Sequence, residues 1–207
     1  MAKQYGFLID ASRCTGCRTC EVACKDKNNL PVGRNFRHIL CFEGGGWGQD
    51  RATGAGRTDT FAYYVSVSCN HCEDPACVKV CPTKAHFKRK EDGLVLIDRD
   101  KCIGCGMCAK ACPYGAPQLD TVAKKMTKCD ACQDRLAKGL NPVCVDSCPQ
   151  RAIEFGEMSE LLKKHSDGKD IAPLPGPSVT KPTLLVKASC NAKPVGDKNG
   201  TVFGADR

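Results

Sequence analysis

Four closely spaced cysteines stand in the stretch Cys102-Ile103-Gly104-Cys105-Gly106-Met107-Cys108-Ala109-Lys110-Ala111-Cys112-Pro113, and three related groups of four occur elsewhere in the chain. This stretch is the third motif in chain order. The first motif is Cys14-x2-Cys17-x2-Cys20-x3-Cys24, the second is Cys69-x2-Cys72-x4-Cys77-x3-Cys81-Pro82, and the fourth is Cys129-x2-Cys132-x11-Cys144-x3-Cys148-Pro149. Sixteen of the 18 cysteines therefore fall into four motifs of four, and Cys41 and Cys190 lie outside them.

Three kinds of site compete for these cysteines. Disulfide frameworks belong to small secreted chains, and a zinc site needs four ligands in a tetrahedron around one ion. The run Cys-x2-Cys-x2-Cys-x3-Cys-Pro is typical of bacterial iron–sulfur proteins. The third motif matches this run throughout, the second and fourth keep its Cys-x3-Cys-Pro ending, and the first has Lys25 in place of proline. The spacing predicts iron–sulfur sites, and sixteen ligands at four each predict four [4Fe–4S] clusters.

The charge of the chain agrees with this interpretation. The formal net charge is +8, which can indicate nucleic acid or an anionic membrane surface as a partner. A [4Fe–4S] cluster with four thiolates carries about −2 when oxidised, so four clusters contribute about −8. We therefore expect the basic residues to balance the clusters, and we expect no nucleic-acid partner.

The sequence shows no sign of a membrane span or an export signal. No uncharged apolar run approaches the roughly 20 residues that cross a bilayer. The segment 1–10 has one positive charge and a four-residue apolar stretch, unlike a secretory signal peptide. We expect a soluble chain that carries no signal of its own.

The motifs belong to a repeated unit. Ile9-Asp10 and Ile97-Asp98 stand at the same distance before the first and third motifs, and the second, third and fourth motifs close on Cys-Pro-x-x-Ala. The unit predicts a short strand, a cluster loop, a short helix, a proline stop and a second strand. The predicted strands are Tyr5–Ile9, Ala62–Val67, Leu94–Ile97 and Ile153–Phe155, with a hairpin joining His86–Lys90 to Leu94–Asp98 through Glu91-Asp92-Gly93.

The predicted fold class is α+β, with two ferredoxin-like two-cluster modules, an inserted loop and an extended C-terminal tail. The predicted domains are an outer module (1–28 and 120–166), a glycine-rich insertion (29–60), an inner module (61–119) and a proline-rich C-terminal arm (167–207). We interpret the insertion as a surface loop or a cover. Glu157–His165 predicts a short helix with Leu161 and Leu162 facing inward. The tail is either a loose terminus or an arm laid on a partner or on the chain itself.

No catalytic site is visible in the sequence. The chain has no glycine-rich nucleotide motif, and no Ser–His–Asp or Cys–His arrangement stands out. His71 lies between Cys69 and Cys72, but four cysteines already complete that motif, and Cys41 and Cys190 are interpreted as buried or free thiols. The chain is therefore predicted not to be catalytic alone. One-electron transfer through clusters held in a row is the chemistry that remains.

Pairing of the motifs follows from the ferredoxin run, in which the fourth cysteine ligates the other cluster. The second and third motifs are adjacent and joined by a short hairpin, so they pair with each other, and the first pairs with the fourth. The predicted ligand sets are Cys14, Cys17, Cys20 and Cys148 (cluster 1); Cys24, Cys129, Cys132 and Cys144 (cluster 2); Cys69, Cys72, Cys77 and Cys112 (cluster 3); and Cys81, Cys102, Cys105 and Cys108 (cluster 4).

The order of the motifs, with the x11 gap in the fourth, resembles the four-cluster subunits of molybdopterin oxidoreductase complexes, above all the iron–sulfur subunits of dimethyl sulfoxide reductases. Supporting stretches are Ser12-Arg13-Cys14-Thr15-Gly16-Cys17, Asn70-His71-Cys72-Glu73-Asp74-Pro75, Ala111-Cys112-Pro113-Tyr114-Gly115 and Thr180-Lys181-Pro182. Related nitrate reductase subunits have a tryptophan at one cysteine of the third motif. Here Cys102, Cys105 and Cys108 are all present, which argues against that group.

The resemblance implies a complex of anaerobic respiration. Its expected partners are a molybdopterin-containing catalytic subunit, nearest cluster 1, and a membrane anchor subunit that oxidises menaquinol, nearest cluster 4. It also implies a peripheral position on the cytoplasmic membrane, on the periplasmic face through partner-assisted twin-arginine export or on the cytoplasmic face. The alternatives that stay open are the same role in a polysulfide, thiosulfate or tetrathionate reductase, a free-standing polyferredoxin, and a zinc-binding structural protein.

Overall fold

The computed structural model describes residues 3–166, 168 and 170–204. Asp167, with which the predicted tail begins, and the last three residues of the predicted arm lie outside this range. The helices are α1 (Thr19–Lys27), α2 (Ala76–Lys79), α3 (Met107–Ala111), α4 (Gln133–Leu136), α5 (Val143–Asp146) and α6 (Met158–Lys164), with a 3-10 turn at Pro177–Val179. The strands are β1 (Tyr5–Asp10), β2 (His38–Gly44), β3 (Trp47–Gln49), β4 (Gly56–Thr58), β5 (Phe61–Val67), β6 (His86–Lys88), β7 (Val95–Ile97), β8 (Gln118–Asp120), β9 (Lys125–Thr127), β10 (Ile153–Glu157), β11 (Leu184–Lys187) and β12 (Gly200–Phe203).

The first sheet has the strand order β10-β1-β11. Strand β1 runs antiparallel to β10 and parallel to β11, so that Phe7 lies opposite Phe155 on one side and Leu184 on the other. Phe7, Leu8 and Ile9 are at most 1% exposed. A central strand covered on both faces is expected to be continuously apolar, as this one is. The tail supplies β11, so this part of it lies on the body of the chain.

The second sheet has the order β12-β2-β5 and corrects the interpretation of the insertion. Residues 29–60 were predicted to form a surface loop or a cover, but they contain β2, the central strand of this sheet, in which Ile39, Leu40 and Phe42 are buried. Strand β2 is stabilised by β5 and by the distant tail strand β12, pairings that local pattern does not reveal. The prediction holds only for the exposed β3–β4 hairpin, where Trp47 is 81% exposed.

The predicted strands are confirmed, with small shifts of their ends, in β1, β5, β7 and β10. Strands β6 and β7 form the predicted hairpin, and Gly93 takes the left-handed conformation (φ +72°) in its turn. The predicted C-terminal helix is α6, with Leu161 buried. The prediction for Leu162 is wrong, because this side chain is 49% exposed. Neighbouring helical residues point about 100° apart, and α6 packs one face on β1 and β10.

The proline that closes three motifs sets the length of their helices. Helices α2, α3 and α5 each end before the Cys-Pro pair that follows them. The residue before a proline is disfavoured in the helical conformation, and Cys112 is indeed extended. In the first motif Lys25 replaces the proline, so α1 continues through Cys24 to Lys27. Helix α1 contacts α5, and α2 contacts α3.

The described residues contain no helix that is both long enough and apolar enough to span a bilayer.

Candidate iron–sulfur centres

The structure brings the cysteines of the first and fourth motifs together. Cys14, Cys17, Cys20 and Cys148 line one small cavity, which we call quartet 1. In quartet 2 (Cys24, Cys129, Cys132 and Cys144), the thiol of Cys24 interacts electrostatically with those of Cys132 and Cys144, and Cys129 interacts with Cys24. Helix α1 contacts helix α5, and this contact brings the cysteines of quartets 1 and 2 together.

The second and third motifs meet in the same way. In quartet 3 (Cys69, Cys72, Cys77 and Cys112), Cys77 interacts electrostatically with the other three thiols. In quartet 4 (Cys81, Cys102, Cys105 and Cys108), Cys108 interacts with Cys102 and Cys105, and Cys81 packs against the apolar cluster that holds Cys102 and Cys108. In the described part of the chain, no three His, Cys, Asp or Glu side chains converge as they would around a single metal ion. Each cysteine of a cubane binds a different iron, so its ligands are spread more widely than those of one zinc ion.

The quartets follow one another in a row. Cys20 of quartet 1 interacts with Cys144 of quartet 2 within the largest apolar cluster. A second apolar cluster holds Cys24 and Cys129 of quartet 2 beside Cys69 of quartet 3. A third holds cysteines of quartets 3 and 4, among them Cys77 and Cys102. Packing therefore links quartet 1 to 2, 2 to 3, and 3 to 4.

Solvent reaches the two ends of this row. Cys17 of quartet 1 and Cys105 of quartet 4 are the only exposed cysteines among the sixteen, all of which lie in described residues. They occupy the same place, the second cysteine, in motifs of identical spacing. All four cysteines of quartet 2 are buried. The row thus has a covered interior and two accessible ends.

A left-handed residue shapes the loop of every motif. The residue before the second cysteine has positive φ in all four: Gly16 (+71°), His71 (+44°), Gly104 (+71°) and Ala131 (+59°). This conformation turns backbone N–H groups toward sulfur: the Ala131 N–H donates to Cys129 Sγ at 3.4 Å, and the Gly16 N–H donates to Cys14 Sγ. Successive inward N–H groups form a concave site for an anion, which fits a negatively charged cluster.

The Cys-Pro-x-x-Ala repeat also acts at sulfur. The Ala152 N–H donates to Cys148 Sγ at 3.3 Å, and the N–H groups of Ala85 and Ala116 make the same bond to the closing cysteines of their own motifs. All three alanines are at most 4% exposed. In the first motif, which lacks the proline, Asn28 Nδ2 approaches Cys24 Sγ at 3.6 Å instead.

The repeated Ile-Asp pairs open the loops of the first and third motifs. Asp10 Oδ1 accepts from the Ser12 N–H at 3.0 Å, and Asp98 Oδ1 accepts from the Asp100 N–H at 3.0 Å. Each aspartate also pairs with a basic residue three positions on, Arg13 or Lys101. These aspartates build the turn that begins the loop.

Burial makes several of the motif thiols hard to ionise without a metal. Burial raises the pKa of Cys24 and Cys77 to about 12 and that of Cys72 and Cys108 to about 11. Metal ligation requires the thiolate and releases the proton. Sixteen soft sulfur ligands in four groups, with N–H donors directed at them, fit [4Fe–4S] clusters.

Sequence reasoning missed several residues that contact the quartets. Arg37 is 2% exposed and interacts electrostatically with Cys20 and Cys144. The Cys72 thiol donates to Oγ1 of Thr180 in the tail at 3.3 Å, and Thr183 Oγ1 donates to the carbonyl of Asn70. Thr180 belongs to the stretch Thr180-Lys181-Pro182, which supports the family resemblance. Thr183 and Arg37 lie outside the quoted motifs and had no such signal.

Three residues that the sequence assigns no ligand role, one histidine and two cysteines, also have defined surroundings. His71 is fully buried, its Nδ1 accepts from the Val95 N–H at 3.0 Å, and burial lowers its pKa well below the usual range. Cys41 is partly buried beside Glu43, and Cys190 is exposed; neither belongs to a quartet.

Comparison with known proteins agrees with this geometry. Residues 60–158 match the family described as 4Fe-4S dicluster domain, and residues 5–26 match a 4Fe-4S binding domain. The protein is 54% identical to the B subunit of anaerobic dimethyl sulfoxide reductase of Escherichia coli, over 97% of its own length and 96% of that subunit. It is 40% identical to the B subunit of polysulfide reductase of Wolinella succinogenes, over 94% and 93%. It is 41% identical to a thiosulfate reductase electron transfer subunit of Salmonella typhi, over 77% and 79%.

This protein is a member of the dimethyl sulfoxide reductase B-subunit family. It is an iron–sulfur electron-transfer subunit of an oxidoreductase complex, carries four [4Fe–4S] clusters and is not catalytic alone. The predictions of family, cofactor and electron-transfer role are therefore confirmed.

Proposed function

We propose that the four quartets are the ligand sets of clusters 1 to 4, in the same numbering, and that they form two ferredoxin-like modules. The outer module (1–28 and 120–166) would hold clusters 1 and 2, and the inner module (61–119) clusters 3 and 4. Residues 29–60 and 167–207 would be an insertion and an arm. Support comes from the contacts of α1 with α5 and of α2 with α3, each of which joins two motifs.

The bound clusters supply one-electron oxidation and reduction. The chain's own residues hold them in a row and cover the middle of it. The observation that carries this proposal is the position of Cys17 and Cys105, exposed at opposite ends, while all of quartet 2 is buried. A row with two accessible ends fits a subunit that sits between two electron-transfer partners.

The surroundings of the two ends suggest which partner lies where. Beside Cys105, the side chains of Ile103, Met107, Leu119 and Val122 are 64%, 48%, 46% and 91% exposed. A Cβ placed on Gly104 would lie 3.7 Å from Leu119 and near the backbone of Lys124, which places the β8–β9 turn beside this cysteine. We name these four side chains the apolar rim. Exposed apolar patches of this kind mark interaction sites, and we assign this one to the membrane anchor subunit that oxidises menaquinol.

The other end is polar. Around Cys17 the exposed residues Arg13, Thr15, Arg18 and Thr19 form what we name the polar rim. We assign this rim to the molybdopterin-containing catalytic subunit. The complex would lie on the membrane surface, on the periplasmic face, with the chain carried there by its partner's twin-arginine signal. Dimethyl sulfoxide is favoured over polysulfide or thiosulfate as the substrate of the complex. The sequence identity is 54% to the dimethyl sulfoxide reductase subunit but 40% and 41% to the polysulfide and thiosulfate reductase subunits.

The proposal is tested by isolating the complex through a tag on this chain. We expect two further subunits in mass spectrometry, and about 16 iron atoms per copy of this chain after subtraction of any partner clusters. Iron near eight per copy in fully loaded protein would contradict four clusters. Isolation of the loaded chain without partners would favour a free polyferredoxin.

A further inference from the structure

A buried positive charge lies between quartets 1 and 2. Arg37 precedes β2 and is 2% exposed. Its guanidinium carbon lies 4.7 Å from the centre of the Phe7 ring. Nη1 donates to Ser66 Oγ at 2.9 Å and Nη2 donates to Ser68 Oγ at 2.8 Å. These contacts hold the guanidinium in one position on the inner side of the second sheet.

Among the described residues, no Asp or Glu forms an ion pair with this guanidinium. The charged or ionisable groups that act on it are thiols from two quartets, which in order of strength are Cys144, Cys20, Cys129 and Cys24. Burial acts to lower the pKa of Arg37, and these thiols raise it on balance. A buried charge without a partner strongly destabilises a fold, so the fold retains Arg37 only with a negative partner. Thiolates bound to iron supply that partner.

Ser66 connects the guanidinium to a cluster ligand. Its Oγ lies 3.4 Å from Cys20 Sγ. Because Arg37 already donates to this oxygen, the hydroxyl hydrogen of Ser66 is free to point at the sulfur. Arg37 therefore orients a hydrogen bond to a ligand of quartet 1, in addition to acting on both quartets through its charge.

We propose that Arg37 is a positioning residue that raises the reduction potentials of clusters 1 and 2, and that Ser66 adds to this effect at cluster 1 alone. The inference rests on the ligand sets proposed above. Positive charge and hydrogen bonds to sulfur both stabilise the reduced, more negative cluster. Clusters 3 and 4 lie further along the row, and none of their cysteines is among the groups that act most strongly on Arg37.

The test is a redox titration of the loaded complex, followed by electron paramagnetic resonance. Arg37→Gln should lower the midpoints of signals 1 and 2, changing the oxidised-to-reduced ratio at fixed potential by at least tenfold, which is about 59 mV for one electron. Arg37→Lys, which keeps the charge, should leave both midpoints close to those of the wild-type protein. Arg57→Gln on the exposed strand β4 removes one positive charge elsewhere and should change neither signal.

A second pair of variants does not depend on how Arg37→Gln folds. Ser66→Ala should lower the midpoint of signal 1 only. Ser68→Ala, which removes the other anchor of Arg37 but no contact with Cys20, should lower the midpoint of signal 1 by less than Ser66→Ala does. Unchanged midpoints in both Arg37→Gln and Ser66→Ala, or equal shifts of all four signals, would overturn the inference. If Cys20→Ser and Cys144→Ser perturb one and the same signal, the ligand sets fail instead.

Discussion

The two ends of the row share a loop and differ in what surrounds it. The first and third motifs have identical spacing, a left-handed glycine before the second cysteine, and an Ile-Asp pair that opens the loop. Cys17 is bordered by the polar rim, whereas Cys105 is bordered by the apolar rim. In the proposed complex, one type of ligand loop would therefore serve two different partners, because cluster binding depends on backbone turns and sulfur while docking depends on the exposed side chains around the second cysteine.

Breaking one end ligand should have the largest effect. Cys105→Ser should perturb cluster 4 and abolish reduction driven by quinol, yet leave reduction driven by an artificial donor that delivers electrons at cluster 1. Cys17→Ser should perturb cluster 1 and abolish reduction by quinol and by the artificial donor, since electrons leave the row through that end. Parallel assays of the two donors distinguish these outcomes, and equal losses with both donors in the two variants would show that the ends are not entry and exit.

Changing the rims should act on docking and leave the clusters in place. Ile103→Glu or Leu119→Glu puts an unpaired charge into an apolar contact and should weaken binding to the membrane anchor by at least tenfold, or about 1.4 kcal/mol. Val32→Glu, at a side chain that is 97% exposed in another loop, is the matched control. The measurement is the fraction of the protein retained on membranes, with iron content as a check. Undiminished retention would contradict the assignment of the apolar rim.

Substitutions at the left-handed position before the second cysteine should change the stability of the loop. A Cβ on Gly104 would lie 2.3 Å from the Lys124 carbonyl oxygen, at φ +71°. Gly104→Ala should therefore destabilise the loop by about 1–2 kcal/mol or more and lower the occupancy of cluster 4. Ala131→Gly occupies the equivalent place in the fourth motif and relieves a strained backbone, so it should not lower stability to that extent. Thermal unfolding of the loaded protein ranks the two, and the reverse ranking would show that the conformation is not what limits the loop.

The cysteines outside the motifs should matter least. Cys41→Ser and Cys190→Ser should leave iron content and all four paramagnetic signals unchanged, because neither residue belongs to a quartet. Loss of a cluster in either variant would mean that a ligand has been misassigned.

The sequence predicted the parts of the molecule that depend on local spacing. The cysteine motifs, the strands beside them and the hairpin at Gly93 follow from short patterns of residue type. Strand β2 was missed because its partners β5 and β12 come from other parts of the chain. Arg37 was missed for a related reason: a single arginine between motifs carries no pattern, and its burial depends on Phe7, Ser66 and Ser68, which only the fold brings to it.

Each proposed ligand set combines three cysteines of one motif with one cysteine of its partner motif. Electron paramagnetic resonance of single Cys→Ser variants in the assembled complex tests it most directly. Cys81→Ser and Cys102→Ser, 21 residues apart, should perturb the same signal, while Cys102→Ser and Cys112→Ser, in the same motif, should perturb different ones. If Cys102 and Cys112 act on one signal and Cys81 on another, the proposed quartets and their order in the row are contradicted.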